Sequence, residues 1–87
     1  MKIEQIEQTV MRALGRIAPE VDTGTLDPDK SFRDQFDFDS MDYLALMLDL
    51  GKELGMHIPE IDYPKLSSLS GCVRYLEGRL GSVAGET

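Results

Sequence analysis

The stretch Asp37-Phe38-Asp39-Ser40-Met41-Asp42-Tyr43-Leu44 places one serine between two aspartates, where an acidic segment meets an apolar one. Apolar residues recur at helical spacing from here to Leu54, which predicts a helix over residues 40–54. A serine in this position is commonly a helix cap, because its oxygen accepts a hydrogen bond from an unpaired N–H of the first turn. The position also suits a phosphate ester, since the amino end of a helix favours negative charge.

Upstream of this stretch, apolar residues at spacings of three and four predict a first helix from about Lys2 to Ile17. Pro19 ends it, because proline disfavours helical conformation in the residue before it. The segment 18–39 has no sustained period and is rich in proline and aspartate, so we expect a long loop. A loop of this length in a small domain is usually functional. Three side chains are expected to pin it to the core: Leu26, Phe32 and Phe36.

Downstream, Gly55 suits the left-handed residue that ends the second helix, and residues 61–66 predict at most a short helical turn. Ser67-Ser68 precedes a last helix with an apolar face. We therefore expect an all-α fold, a small four-helix bundle of three longer helices and one short one, with a long loop between the first and second helices. The domain should cover residues 1–80, and residues 81–87 should form a disordered tail.

Length and composition limit the classes of protein that this chain fits. With 87 residues it makes one domain with a modest core. Cys72 is the single cysteine, which excludes an internal disulfide and favours a small core residue over a nucleophile. Neither a secretory signal nor a membrane span of roughly 18–20 apolar residues is evident. We expect a cytoplasmic protein without membrane insertion.

The negative charge is concentrated around the serine. Residues 20–49 contain nine acidic and two basic side chains, a balance of −7 that equals the net charge of the whole chain. Such a segment repels nucleic acid and attracts basic protein surfaces, so no nucleic-acid partner is expected. An ordinary solvated loop is the alternative interpretation.

Catalysis by the chain itself is not expected. His57, the single histidine, follows the far end of the predicted helix, roughly 20 Å from Ser40 at about 1.5 Å per residue, which is too far for a catalytic base. No metal site is expected either. The pairs Asp27-x-Asp29 and Asp37-x-Asp39 suggest calcium loops, but both lack the glycine at the sixth position and the glutamate at the twelfth.

Asp39-Ser40-Met41-Asp42 at the start of an apolar helix, followed by Ile58-Pro59, a short third helix and a capped fourth one, resembles the acyl carrier proteins. Their motif is Asp-Ser-Leu at the start of the second helix. The resemblance implies that a phosphopantetheinyl transferase attaches 4′-phosphopantetheine from coenzyme A to Ser40. The thiol of this arm would carry acyl groups as thioesters for enzymes of fatty-acid, lipid or polyketide synthesis. The resemblance also associates Asp39 with the attachment reaction of the transferase.

By the same resemblance, the second helix docks onto basic patches of acyl-transferring and chain-elongating enzymes. The residues available for this are Asp37, Met41, Asp42, Asp49 and Glu53. The apolar helix faces would shelter an acyl chain, in a pocket to which the adaptable side chains of Met41, Met47 and Met56 contribute. Filling of the core is an equally good interpretation of these methionines. We expect a monomer.

Several residues depart from the family pattern. Met41 replaces the usual leucine. Asp37 lies where glycine is typical, and the aromatic Phe38 follows it. Ala45 and Lys52 reduce the acidity of the second helix. We expect Phe38 to reshape the approach to Ser40, and fewer acids to redirect docking. A specialised carrier for a dedicated pathway is therefore one expectation. The alternative function is an unmodified acidic helical adaptor that binds a basic protein.

Overall fold

A computed structural model of the protein describes residues 2–85, with side chains over residues 2–80. Within these residues the elements are α1 (Ile3–Ile17), α2 (Phe32–Gln35), α3 (Ser40–Leu54), a 3₁₀ helix (Glu60–Leu66) and α4 (Leu69–Gly85). α1 packs against α3 and α4, and the 3₁₀ helix packs against α4. No β-strand occurs in the described part of the chain. The predicted all-α fold is confirmed, with three longer helices and the 3₁₀ helix as the short one.

The segment between α1 and α3 is not loop throughout, because it contains the four-residue helix α2. The Ser31 hydroxyl accepts a hydrogen bond from the Asp34 N–H at 3.3 Å and caps this helix. Phe32 is fully buried, and its N–H donates to the Ser67 carbonyl at 2.9 Å, which ties the segment to the turn before α4. Leu26 and Phe36 are partly buried against the core. The predicted pinning of the loop is confirmed, whereas one turn of helix is too short to give a period in the sequence.

Phe38 belongs to the core rather than to the surface around Ser40. Its side chain is 4 % exposed, and its ring centroid lies 5.8 Å from that of Phe32. The bulky residue therefore anchors the chain immediately before α3. The expectation that Phe38 reshapes the approach to Ser40 is not supported by this position.

α3 buries one face and exposes another. Leu46, Met47 and Leu50 are buried, but Leu48 and Met41 are 61 % and 71 % exposed. Apolar periodicity in a sequence shows that a face exists, but it does not show whether a neighbouring element covers that face. In this chain α1 covers only one side of α3, so part of the predicted apolar surface stays open to solvent.

The carboxyl end of α3 is stopped as predicted by Gly55, which has the left-handed φ of 65°. Gly51 has a second role here, because a Cβ at this position would lie 2.7 Å from the carbonyl oxygen of Met56. The connector after α3 therefore folds back closely onto the helix.

α4 extends to Gly85, beyond the predicted domain boundary at residue 80. The boundary is thus not marked by the end of a helix. Residues 86–87 and the side chains of 81–85 lie outside what the structure describes, so the disordered tail stays a prediction. None of the described helices combines the length and the apolar character needed to cross a membrane.

Candidate functional site

Ser40 is the first residue of α3, and its side chain is exposed. The helix is capped by its neighbour: an oxygen of Asp39 accepts a hydrogen bond from the Asp42 N–H at 2.9 Å. In return, an Asp42 carboxylate oxygen accepts from the Asp39 N–H at 3.3 Å. These two bonds form a reciprocal capping box. The cap is therefore Asp39, and the Ser40 hydroxyl is not needed for this purpose.

The first turn of α3 keeps donors for an anionic group. The first N–H groups of a helix have no acceptor within the helix. Asp39 takes the N–H of Asp42, and the Tyr43 N–H donates to the Asp39 carbonyl at 3.0 Å. Among the hydrogen bonds of the described residues, none uses the N–H of Ser40 or Met41. These two groups fit a phosphate bonded to the Ser40 hydroxyl.

The same turn is surrounded by carboxylates, which act against an anion. Asp37 and Asp39 are exposed and Asp42 is half-buried. Their combined negative charge repels a free phosphate compound. His57 is exposed and follows the carboxyl end of α3, and no cluster of three or more potential metal-ligating side chains occurs in the described residues.

The predicted docking residues fall into two groups. Asp37, Met41 and Asp42 lie beside Ser40 at the amino end of α3. Asp49 and Glu53 lie toward its carboxyl end, where both contact Arg16 of α1 at 2.6 and 2.5 Å. These two acids are therefore already paired within the chain.

Arg12 adds a third bond to this second group, with 3.1 Å between its guanidinium and the Glu53 carboxylate. We call these four residues the α1–α3 ion cluster: Arg12, Arg16, Asp49 and Glu53. The cluster joins the two helices at the protein surface. The family resemblance assigned Asp49 and Glu53 to docking. Their pairing was not predicted, because the partners on α1 are distant in sequence.

A cavity of about 440 Å³ lies between α2, α3 and the 3₁₀ helix. Its lining consists of Ser31, Phe32, Arg33, Tyr43, Tyr63, Pro64 and Ser67. This volume falls in the range of roughly 300–1,000 Å³ that is typical of small-molecule sites. Tyr43 follows Ser40 by three residues, so the cavity is adjacent to the first turn of α3.

The methionines that the sequence suggested for an acyl pocket do not line this cavity. Met41 is exposed, and Met47 and Met56 line a separate cavity of only about 90 Å³. Tyr43 and Tyr63 line the larger cavity instead. Tyr43 donates a hydrogen bond to the Tyr63 carbonyl, and the two rings meet edge to face with centroids 6.0 Å apart. The signal that sequence reasoning missed is the spacing of Tyr43 from Ser40.

Burial dominates the electrostatics of two further groups. It raises the pKa of Tyr43, an effect that the nearby positive charge of Arg33 opposes. Burial also raises the pKa of the Cys72 thiol to about 12, and the thiol lies 3.3 Å from the Leu66 carbonyl, to which it donates. Cys72 is therefore a protonated core residue, as predicted.

A family model described as a phosphopantetheine attachment site matches residues 4–76, which is most of the chain. The chain belongs to the acyl carrier protein family. Members of this family carry 4′-phosphopantetheine as their prosthetic group, and they are carriers rather than catalysts. The helical fold and the serine at the amino end of α3 agree with this membership.

Individual acyl carrier proteins are similar to this chain at modest identity. The acyl carrier protein of Rubrobacter xylanophilus is 28% identical over 74 residues, which are 85% of each chain. That of Micrococcus luteus is 25% identical over 83% of this chain and 93% of its own. The acyl carrier protein of Lactobacillus johnsonii is 32% identical over 66% of this chain and 71% of its own.

Proposed function

We propose that this carrier bears its 4′-phosphopantetheine arm on Ser40, and that it presents acyl thioesters to enzymes of fatty-acid, lipid or polyketide synthesis. It would work as a cytoplasmic monomer and not as an enzyme. The observation that carries the proposal is that different residues cap α3 and expose a hydroxyl at its start. Asp39 caps the helix, which leaves an exposed Ser40 hydroxyl beside two available N–H groups.

The residues of the chain have defined roles in this proposal. The Ser40 oxygen would bond to the phosphorus of the pantetheine phosphate as the diphosphate bond of coenzyme A breaks and adenosine 3′,5′-bisphosphate leaves. The N–H groups of Ser40 and Met41 would hold the phosphate oxygens. Asp39 fixes the backbone that holds them in place. When bound, the arm supplies a terminal thiol that holds the acyl group.

The transferase must supply what the chain lacks. No histidine lies near Ser40, so the base that takes its proton comes from the partner. The carboxylates of Asp37, Asp39 and Asp42 require neutralisation before an anionic donor approaches. A basic or metal-bearing surface on the transferase meets this requirement.

Docking of partner enzymes centres, in this proposal, on the amino half of α3. Met41, Leu44 and Leu48 form an exposed apolar stripe there. Asp37 and Asp42 lie at the end of the stripe next to Ser40. Asp49 and Glu53 contribute less to docking than the sequence suggested, because breaking the α1–α3 ion cluster opposes their binding to a partner.

A specialised pathway is supported by the composition of the exposed α3 surface. Ala45 and Lys52 are both exposed, at positions where a more acidic helix would attract generic basic patches. With fewer free acids, apolar contacts carry a larger part of partner selection. We propose a partner surface that combines an apolar groove with cations near the Ser40 end.

The attachment is tested by intact-mass measurement after incubation with coenzyme A and a broad-specificity phosphopantetheinyl transferase. The wild type should gain the mass of one phosphopantetheine group, and Ser40→Ala should gain none. Ser70→Ala is the matched control, since Ser70 donates to Asp29 at 2.8 Å, away from α3, and it should be modified like the wild type. An unmodified wild type, or an equal gain on Ser40→Ala, would favour the adaptor alternative.

A further inference from the structure

The lining of the larger cavity indicates what kind of cargo the carrier holds, an inference that rests on the proposed attachment at Ser40. Tyr43 lies one helical turn after Ser40. Side chains three residues apart on a helix are neighbours, about 5–6 Å between their Cβ atoms. A flexible arm on Ser40 that folds back along α3 therefore meets this cavity first.

The walls of the cavity consist mainly of ring-shaped side chains. Phe32, Tyr43 and Tyr63 supply flat aromatic rings and Pro64 supplies a closed saturated ring, all with few rotatable bonds. The hydrogen bond from the Tyr43 hydroxyl to the Tyr63 carbonyl fixes two of these walls to each other. Phe32 is held by the core, including its contact with Phe38. Because no methionine lines the cavity, its shape adapts little, which favours a compact cargo over long chains of variable length.

The charge that lines the cavity is basic, although the chain as a whole is acidic. Arg33 is the single charged side chain of the lining, and no acid lines it. The side chain of Arg33 is exposed, which places its charge where the cavity meets solvent. The Arg33 charge acts on Tyr43, where it opposes the rise in pKa caused by burial. Ser31 and Ser67 add hydroxyl groups to the lining.

A guanidinium group beside an apolar cavity recognises a particular ligand chemistry. Arginine binds carboxylates through paired N–H donors in a planar arrangement. The aromatic walls accommodate a short hydrocarbon segment, and the guanidinium accommodates a negative end. The chain has a net charge of −7, so a carboxylate is attracted to this cavity only because Arg33 offsets the surrounding field.

We propose that the cavity selects a short acyl group that ends in a carboxylate, with Arg33 as the specificity-determining residue. Tyr43 is a positioning residue that keeps the aromatic walls in place. The thioester end of the cargo stays on the arm, and its carboxylate end pairs with the Arg33 guanidinium.

The test compares two cargoes of equal length on the full-length protein. Adipoyl and hexanoyl groups are loaded from their coenzyme A thioesters by a broad-specificity transferase, and the intact mass verifies each load. The readouts are the midpoint of thermal unfolding and the rate of thioester cleavage by hydroxylamine. The adipoyl form should unfold at the higher temperature and be cleaved about two- to fivefold more slowly, the effect of a partly exposed ion pair.

Variants separate cargo binding from other roles of Arg33. Arg33→Gln should abolish the difference between the two cargoes, and Arg33→Lys should restore part of it. Arg74→Gln removes an exposed arginine that lines a different cavity, so it should behave like the wild type. Arg33→Gln should leave the unfolding midpoint of the form without cargo unchanged, because the side chain is exposed.

Two results would overturn the proposal while leaving attachment at Ser40 intact. One is equal protection of adipoyl and hexanoyl thioesters, or better protection of hexanoyl. The other concerns how much Arg33→Gln lowers the unfolding midpoint. If it lowers the midpoint of the cargo-free form as much as that of the adipoyl form, Arg33 contacts the arm and not the cargo. A missing mass gain on loading would instead refute the attachment, and the inference with it.

Discussion

At the scale of single residues, the central distinction is between Asp39 and Ser40. The sequence suggested Ser40 as the helix cap, but the geometry assigns this role to Asp39 through its bond to the Asp42 N–H. Removal of an aspartate cap costs about 1 kcal/mol of stability. Ser40 makes no comparable contribution, so the two neighbours should differ in what their removal does.

Asp39→Ala is therefore expected to lower the free energy of unfolding by about 1 kcal/mol. Ser40→Ala should change it by less than about 0.5 kcal/mol, as an exposed residue away from the cap does. Urea unfolding measures both. Asp39→Asn keeps a capping oxygen and serves as the control, with near wild-type stability. A large loss on Ser40→Ala with none on Asp39→Ala would show that the serine is the cap.

Tyr43 gives a second prediction at this scale, which concerns pH. Burial raises its folded pKa above the usual tyrosine value of about 10, so its contribution to stability is complete below pH 10 and is lost as the pH rises from there toward the folded pKa. Tyr43→Phe removes the ionisable hydroxyl and the bond to the Tyr63 carbonyl, at a cost of about 1 kcal/mol near neutral pH.

Thermal unfolding between pH 8 and 11 tests this prediction. The wild type should lose stability above pH 10 more steeply than Tyr43→Phe, so that the difference between them narrows. Parallel curves for the two proteins would mean that Tyr43 ionises as freely in the folded state as in the unfolded one.

At the scale of elements, the sequence predicted much of the fold. The bounds of α3 agree with the prediction, and those of α1 differ by one residue, because both helices have a sustained apolar period and clear stop signals. Two features were not predictable. α2 is a single turn held by contacts of Phe32 with distant residues, and the covered face of α3 depends on where α1 packs.

The candidate site was likewise predictable only in part. Ser40 and Asp39 follow from local sequence, since a motif and a helix start are local properties. The pairing of Asp49 and Glu53 with Arg16 joins residues more than thirty positions apart, and no local pattern reports it. The aromatic cavity likewise needs Tyr43 and Tyr63 to meet from different elements.

Leu46 and Leu48 test which face of α3 is covered. Leu46 is fully buried and Leu48 is 61 % exposed, although the two leucines are only two residues apart in the same helix. Leu46→Ala should therefore cost about 2–5 kcal/mol of stability, and Leu48→Ala less than about 0.5 kcal/mol. Chemical denaturation of the two variants measures both losses in the free energy of unfolding. The reverse order of the two losses would place the helix the other way round.

At the scale of the whole molecule, the position of charge matters more than its total. The segment 20–49 carries a balance equal to the entire net charge of −7, and Asp37 lies in it, close to Ser40. α4 carries Glu77, which is also exposed. A transferase steered by local charge should distinguish these two acids, whereas one steered by net charge should not.

Asp37→Lys is accordingly expected to lower kcat/KM for modification by about three- to tenfold at low salt. Glu77→Lys makes the same change in net charge on another element and should leave the rate within about twofold of the wild type. Initial rates of mass gain at two ionic strengths measure both. Equal losses for the two variants would show that only net charge guides the encounter.

The most direct test of the account locates the modification within the chain. Trypsin cleaves after Arg33 and Lys52, and the fragment 34–52 contains Ser40 as its single serine and has no threonine. After treatment with transferase and coenzyme A, tandem mass spectrometry should find one phosphopantetheine on this fragment, at Ser40. A modification on any other fragment, or on none while a known carrier in the same tube is modified, would contradict the account.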